Sequence, residues 1–127
     1  MKKNLLLDTC VLLWILQGNE RIIEKPEVME QLNSRFRFFS SISIAEIEIK
    51  KSIGKLEIPD VYINAVTASG IQELPYDAES ASQLGELHHF HEDPFDRMLI
   101  TSAKVHNLIV VTGDTIFTKY GIETILV

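Results

Sequence analysis

The sequence predicts an α/β fold, a parallel sheet covered by helices on both faces. Three observations carry that prediction. Short apolar runs such as "LLL" at 5–7 and "LIVVTGD" at 108–114 have the length and composition of buried strands. Such runs alternate along the chain with stretches that carry helical caps and helical spacing, and alternation of that kind feeds a parallel sheet flanked by helices. The chain has 127 residues, 46% of them hydrophobic, which suits one domain over 1–127 with a core that needs no disulfide. The expected architecture is therefore three-layered.

Each element follows in order. Residues 3–7 read as a short buried strand, and 10–17 as a helix ended by Gly18. Residues 21–33 can form a second helix, with Pro26 near its first turn. "RFRFFSS" (35–41) reads as a strand, and "SIAEIEIKKSIGKL" (43–56) as a helix with Gly54 near its end. Pro59 opens a helical stretch that stops near Gly70, and "IQELP" (71–75) is a short strand. Residues 77–89 and 94–106 read as helices. The run 108–114 is the clearest strand, β-branched and closed by Gly-Asp, and "ETILV" (123–127) is the last. No internal repeat, low-complexity tract or Pro/Gly linker interrupts this series.

Charge and cysteine usage narrow the function classes. Twelve Lys and Arg against 18 Asp and Glu give a net charge of -6, so the broad basic field of a duplex-coating protein is missing. An enzyme that meets phosphate through metal ions is not disfavoured by that balance. Cys10 is the single cysteine, which fits a reducing compartment. The opening "MKKNLLLDTCVLLWIL" imitates a signal peptide, but Asp8 interrupts its apolar region and no small-residue cleavage site follows. No apolar run approaches the ~20 residues that span a bilayer. A cytoplasmic protein without membrane contact is expected.

Four carboxylates stand where the pattern risks burying them. Asp8 lies between a Leu run and a Val/Leu/Trp/Ile run. A buried charge must shift its pKa, find a partner or hold a metal. Its plain role is N-cap of the following helix, which Thr9 could fill equally well. Glu46 fits an S-x-x-E capping box with Ser43 and an i,i+4 pair with Lys50. Helical geometry also sets it on a stripe with Ile42, Ile49 and Ile53, whereas Glu48 faces Lys51 and solvent. In "EDPFDRMLITSAKVH", Asp93 reads as N-cap, Pro94 as the first helical residue and Asp96 as a third-position acid suited to the helix dipole. Yet Asp96 shares its face with Leu99, Ile100 and Ala103. Asp114 closes "VVTGD", where a turn aspartate needs no function.

Ligands of open parallel sheets bind at the carboxyl ends of strands, where the winding direction reverses. Asp8 follows the first strand and Asp114 the fourth. If those strands are neighbours, both acids line one crevice. Two carboxylates ~5 Å apart repel by ~3 kcal/mol at an effective dielectric of about 20. Four in one place require positive charge, which Lys50 and Arg97 could supply in part and a hard divalent cation supplies directly. Such a pocket suits metal-assisted phosphodiester hydrolysis.

With Asp8, Glu46, Asp96 and Asp114 assembled, the sequence resembles the PIN-domain ribonucleases, and most of all the VapC-type toxins of bacterial toxin–antitoxin pairs. "LLLDTCVLLW", "SIAEIEIKKSIGKL", "HEDPFDRMLITSA" and "VVTGD" carry the likeness in the family's order over nearly the whole chain. The resemblance implies a five-stranded parallel sheet in the order 3-2-1-4-5, which sets strands one and four side by side. It implies Mg²⁺- or Mn²⁺-dependent cleavage of RNA, an antitoxin partner and a homodimer. Its acidic motif positions fall on Asp8, Glu46, Asp96 and Asp114, with Asp8, Asp96 and Asp114 as metal ligands and Glu46 as a ligand or general base. Thr112 matches a small hydroxyl residue that orients the last acid or a water. Asp93 is a helix cap first and a supporting acid second. Lys50 and Arg97 are candidates to contact phosphate or to pair with the acids. Phe90 and Glu92 leave the surroundings of His91 less basic than a phosphate grip would want.

Other readings remain beside this one. A receiver-type Mg²⁺-binding phosphoacceptor domain has the same size and alternation, but "LLLDTC" offers one acid, "IQELP" no aspartate, and no lysine follows "ETILV". A dehalogenase-type phosphatase needs a D-x-D that Cys10 breaks. A catalytically silent PIN-like module that binds only protein is a further alternative. His88 and His91 lie three apart, as a helical zinc pair would, without a third ligand at a recognised spacing. No G-x-S-x-G elbow announces a serine hydrolase. Trp14 reads as a core residue, or as part of an apolar groove for a partner's helix.

Overall fold

The structure, a computed structural model, describes residues 3–18 and 24–127. Five strands form one all-parallel sheet: β1 (Leu5–Leu7), β2 (Arg37–Ser40), β3 (Ile71–Leu74), β4 (Ile109–Thr112) and β5 (Thr124–Leu126). Their order is β3-β2-β1-β4-β5, as the resemblance implies. The receiver-type alternative is overturned here, since that doubly wound class runs 2-1-3-4-5. Helices α1 (Thr9–Gln17), α2 (Pro26–Asn33), α3 (Ser41–Ser52), α4 (Tyr62–Ala68), α5 (Ala78–Ser82) and α6 (Pro94–His106) complete the layers.

Strand alternation divides the core between the two faces. Leu5 and Leu7 point to one side, with Val11, Leu12, Val28, Leu32, Ile47, Tyr62 and Val66 from α1 to α4. Leu6 points to the other, with Leu99, Ile100, Ala103, Phe117 and Tyr120. All three leucines of β1 are fully buried, each worth about 1.5–3 kcal/mol of transfer free energy. That double burial explains why β1 and β4 read as unbroken apolar runs rather than alternating ones. Trp14 is half-buried against the first cluster. Its ring covers Gly113, where a Cβ would lie 2.7 Å from Cη2 of the indole, so that position has no room for a side chain. Among the described residues, no helix is long and apolar enough to cross a membrane.

Several local expectations need correction. The helix expected over 21–33 begins at Pro26, and residues 21–23 lie outside the described residues. The Ser43–Glu46 capping box does not form: α3 starts two residues earlier, straight off β2, and Ser40 caps it by accepting the Ile42 N–H at 3.0 Å. Ser43 instead accepts a hydrogen bond from the Thr9 hydroxyl at 2.9 Å. The face that α3 buries carries Ser43, Glu46 and Ile47, while Ile49 and Ile53 are exposed. The helix expected over 77–89 ends at Ser82, followed by one 3-10 turn at 84–86. Gly85 weakens the helix, and Arg97 takes the carbonyls of Leu87 and His88 that a continuing helix would use. His88 and His91 therefore share no helix face. A 3-10 turn over Thr115–Tyr120, unannounced by sequence pattern, follows β4.

Candidate active site

The carboxyl ends of β1, β2 and β4 converge on one crevice. Asp8 leaves β1 in extended conformation and caps α1, its Oδ1 accepting the Val11 N–H at 2.8 Å. The backbone N–H of Asp8 bonds the carbonyl of Val111 at 3.0 Å, which holds the strand ends in register. One step further, the Thr112 hydroxyl donates to Asp8 Oδ2 at 2.5 Å and accepts the Asp114 N–H at 3.0 Å. Thr112 is fully buried, so a single hydroxyl ties together two acids 106 positions apart in sequence. Asp114 caps the 3-10 turn through Oδ1 and the Ile116 N–H at 2.9 Å. Its other oxygen faces the crevice.

Glu46 and Asp96 reach the same place from helices on opposite sides. Glu46 is 4% exposed, and its Oε2 accepts from Lys50 Nζ at 2.7 Å. Its Oε1 is buried without a hydrogen-bond partner. Native proteins leave few such atoms, and each calls for a missing ligand or water. Asp96 sits in the first turn of α6, which Asp93 caps by accepting the N–H groups of Phe95 at 2.9 Å and Asp96 at 3.5 Å. Its face is the predicted one, with Leu99, Ile100 and Ala103 buried below it.

The electrostatics record this crowding. Burial pushes the Asp8 carboxyl upward, as do Glu46 and Asp114, while the Thr112 hydroxyl and the Val11 N–H hold it down. Asp96 is pushed up to about 7, first by burial, then by Asp93, with Asp8 and Glu46 adding and His91 opposing. The Cys10 thiol at the rim rises to about 11, first through the protein packed around it and then through Asp8, Glu46 and Asp96. Lys50 is held above its ordinary value chiefly by its hydrogen bond to Glu46. These directions describe one concentrated negative field.

Lys50 lies at the rim, its side chain 44% exposed and its ammonium paired with Glu46. Arg97 has a different place from the expected one. It is buried and donates to the carbonyls of Leu87, His88 and His91 and to the Tyr120 hydroxyl, at 2.8–3.4 Å. Its charge satisfies backbone carbonyls, leaving no donor set aimed at phosphate.

Sequence reasoning missed His91 as a member of the site. Its Nε2 lies 2.8 Å from Asp96 Oδ2 and 3.3 Å from Asp114 Oδ2, within ion-pairing distance but off the line a hydrogen bond needs. Those three side chains each bring one atom within 4.8 Å of the others, a spacing that fits a metal ion. The only hint in the sequence was its place just ahead of Asp93 and Asp96.

The donor set fits a hard divalent cation: carboxylate oxygens, an orphaned Glu46 oxygen and mutually raised carboxyls that a positive charge would relieve. Comparisons agree with the fold. The VapBC complex from Salmonella typhimurium bound to DNA contains a chain 23% identical, covering 98% of both chains with a TM-score of 0.70. VapBC2 from Rickettsia felis, bound to a fragment of its promoter, is 16% identical with a TM-score of 0.73, over 96% of this chain and 97% of that one. FitAcB from Neisseria gonorrhoeae is 21% identical with a TM-score of 0.58, over 94% and 95%. No curated protein matches the chain. The family model for the PIN domain matches residues 5–123, a span that holds all four acids and the strands that position them, and the chain belongs to the PIN-domain family.

Proposed function

We propose that the protein is a divalent-metal-dependent endoribonuclease, acting as the toxin of a toxin–antitoxin pair. The reading is supported by one crevice at the carboxyl end of the sheet, where Asp96 and Asp114 come within ion-sharing distance beside His91, Asp8 is tied to Asp114 through Thr112, and Glu46 Oε1 is left unpartnered. Asp8, Asp96 and Asp114 would hold Mg²⁺ or Mn²⁺. A divalent cation, when bound, supplies charge neutralisation at the scissile phosphate and acidifies a water. Glu46 Oε1 accepts the proton of the attacking water, since its other oxygen is occupied by Lys50. Thr112 donates to Asp8, which favours its ionised form against the burial that opposes it, and holds the carboxylate turned inward. Lys50 steers phosphate from the rim. In-line attack leaves a 5′-phosphate and a 3′-hydroxyl. Asp93 supports the site as the cap that fixes the first turn of α6.

The solved neighbours named above come from VapBC and FitAB assemblies. By that likeness an antitoxin is the expected partner, and a homodimer in the cytoplasm the expected form. The test is the purified chain on a panel of tRNA and mRNA with Mg²⁺, Mn²⁺ or chelator, beside Asp8→Asn and Asp96→Asn. Cleavage needing metal and lost in both variants is expected. Full activity of either variant under Mg²⁺ refutes the assignment. A protein-binding module without catalysis would cut nothing under any metal.

A further inference from the structure

We propose that His91 is a nitrogen ligand of the metal site, so that the site takes Mn²⁺ and later first-row ions in preference to Mg²⁺. The proposal rests on the metal-dependent reading above and concerns which ion that site selects.

The first observation is placement. Nε2 of His91 is buried, lacks a hydrogen-bond partner, and stands between Asp96 Oδ2 at 2.8 Å and Asp114 Oδ2 at 3.3 Å. The second is an orphaned donor atom on a different element: Glu46, nine-tenths buried, leaves Oε1 unpartnered at the same carboxyl rim. The third is the effort spent on holding the imidazole. The backbone N–H of His91 donates to the Tyr120 hydroxyl at 2.8 Å, and its backbone carbonyl accepts from Arg97. Its ring meets Phe117 edge-on, with centroids 6.2 Å apart. Outer contacts of this kind orient a ligand before the ion arrives.

Three oxygen ligands alone would suit Mg²⁺, which keeps its waters and takes carboxylates. An imidazole nitrogen among them favours transition ions, whose affinity for nitrogen rises along the first row. Ligation through Nε2 puts the imidazole proton on Nδ1. The long 3.4 Å contact that Nδ1 accepts from the Asp93 N–H is what ligation gives up.

Two measurements test this. Pulsed electron paramagnetic resonance of the Mn²⁺-loaded wild-type chain should show nitrogen coupling. Calorimetry should show Mn²⁺ binding tighter than Mg²⁺, with His91→Gln losing at least as much Mn²⁺ affinity as the ~10–100-fold that follows loss of an outer-shell partner and little Mg²⁺ affinity. A wild-type Mn²⁺ spectrum without nitrogen coupling overturns the proposal. So does a His91→Gln variant, folded by circular dichroism, that loses affinity for both ions equally, because His91 would then only orient the two acids. RNA cleavage without nitrogen coupling sinks the ligand and leaves the nuclease standing. Nitrogen coupling in a chain that cuts no RNA supports the ligand and sinks the nuclease.

Discussion

Thr112→Val isolates the hydroxyl that joins Asp8 to Asp114. The substitution keeps the β-branched shape in a fully buried position and deletes one donor and one acceptor. A hydrogen bond to a buried ionised carboxylate is worth about 1.5–3 kcal/mol, and a neutral N–H bond about 0.5–1.5 kcal/mol. Asp114 is 39% exposed, so water recovers part of the second. The expected loss in metal-free protein near neutrality is therefore ~2–3 kcal/mol. Thr112→Ser keeps the hydroxyl and loses one methyl, about 1 kcal/mol. The pH dependence separates the terms. Burial raises Asp8 above the ordinary aspartate value, so its contribution is fully present in acid and lost as pH rises through the folded value. Without the Thr112 donor that value rises further, and the loss on ionisation grows. Urea unfolding of both variants in acid and near neutrality reads this directly. A Thr112→Val deficit that equals that of Thr112→Ser near neutrality, or that does not shrink in acid, refutes the reasoning.

Four other outcomes follow from the same geometry. Asp96, pushed up to about 7, contributes stability below the ordinary aspartate value that is lost as pH rises through about 7. Metal-free Asp96→Asn should thus be more stable than wild type near and above neutrality, by roughly 1–4 kcal/mol, in thermal melts. Added Mn²⁺ should raise the wild-type Tm more at alkaline than at acid pH, because binding needs the ionised carboxylate. The Cys10 thiol, near 11 instead of 9.0, should hold on the order of a hundredfold less thiolate and alkylate slowly with iodoacetamide, and Asp8→Asn should speed the reaction. Arg97→Met should strand the carbonyls of Leu87, His88 and His91, costing about 3 kcal/mol and raising amide exchange over 87–91.

What the sequence determined by itself was everything governed by neighbours a few residues apart. The apolar runs of β1 and β4, the Asp8 and Asp93 caps, Pro94 as first helical residue and the span of α6 were all legible, because caps and helical faces are local physics. The Glu46–Lys50 pair was legible for the same reason. Tertiary contact decided the rest. Strand–helix continuity moved the α3 cap from Ser43 to Ser40, and α3 turned Ile49 and Ile53 outward. Arg97 drew carbonyls out of a helix that propensity would have continued to residue 89, and in doing so aimed His91 at Asp96 and Asp114. The meeting of Asp8 with Asp114 needed β1 beside β4, an adjacency that the local pattern left open, that the family resemblance implied, and that the folded sheet shows. A side chain's partner across a hundred positions is chosen by how sheets wind and cores pack, and only the folded chain carries that information.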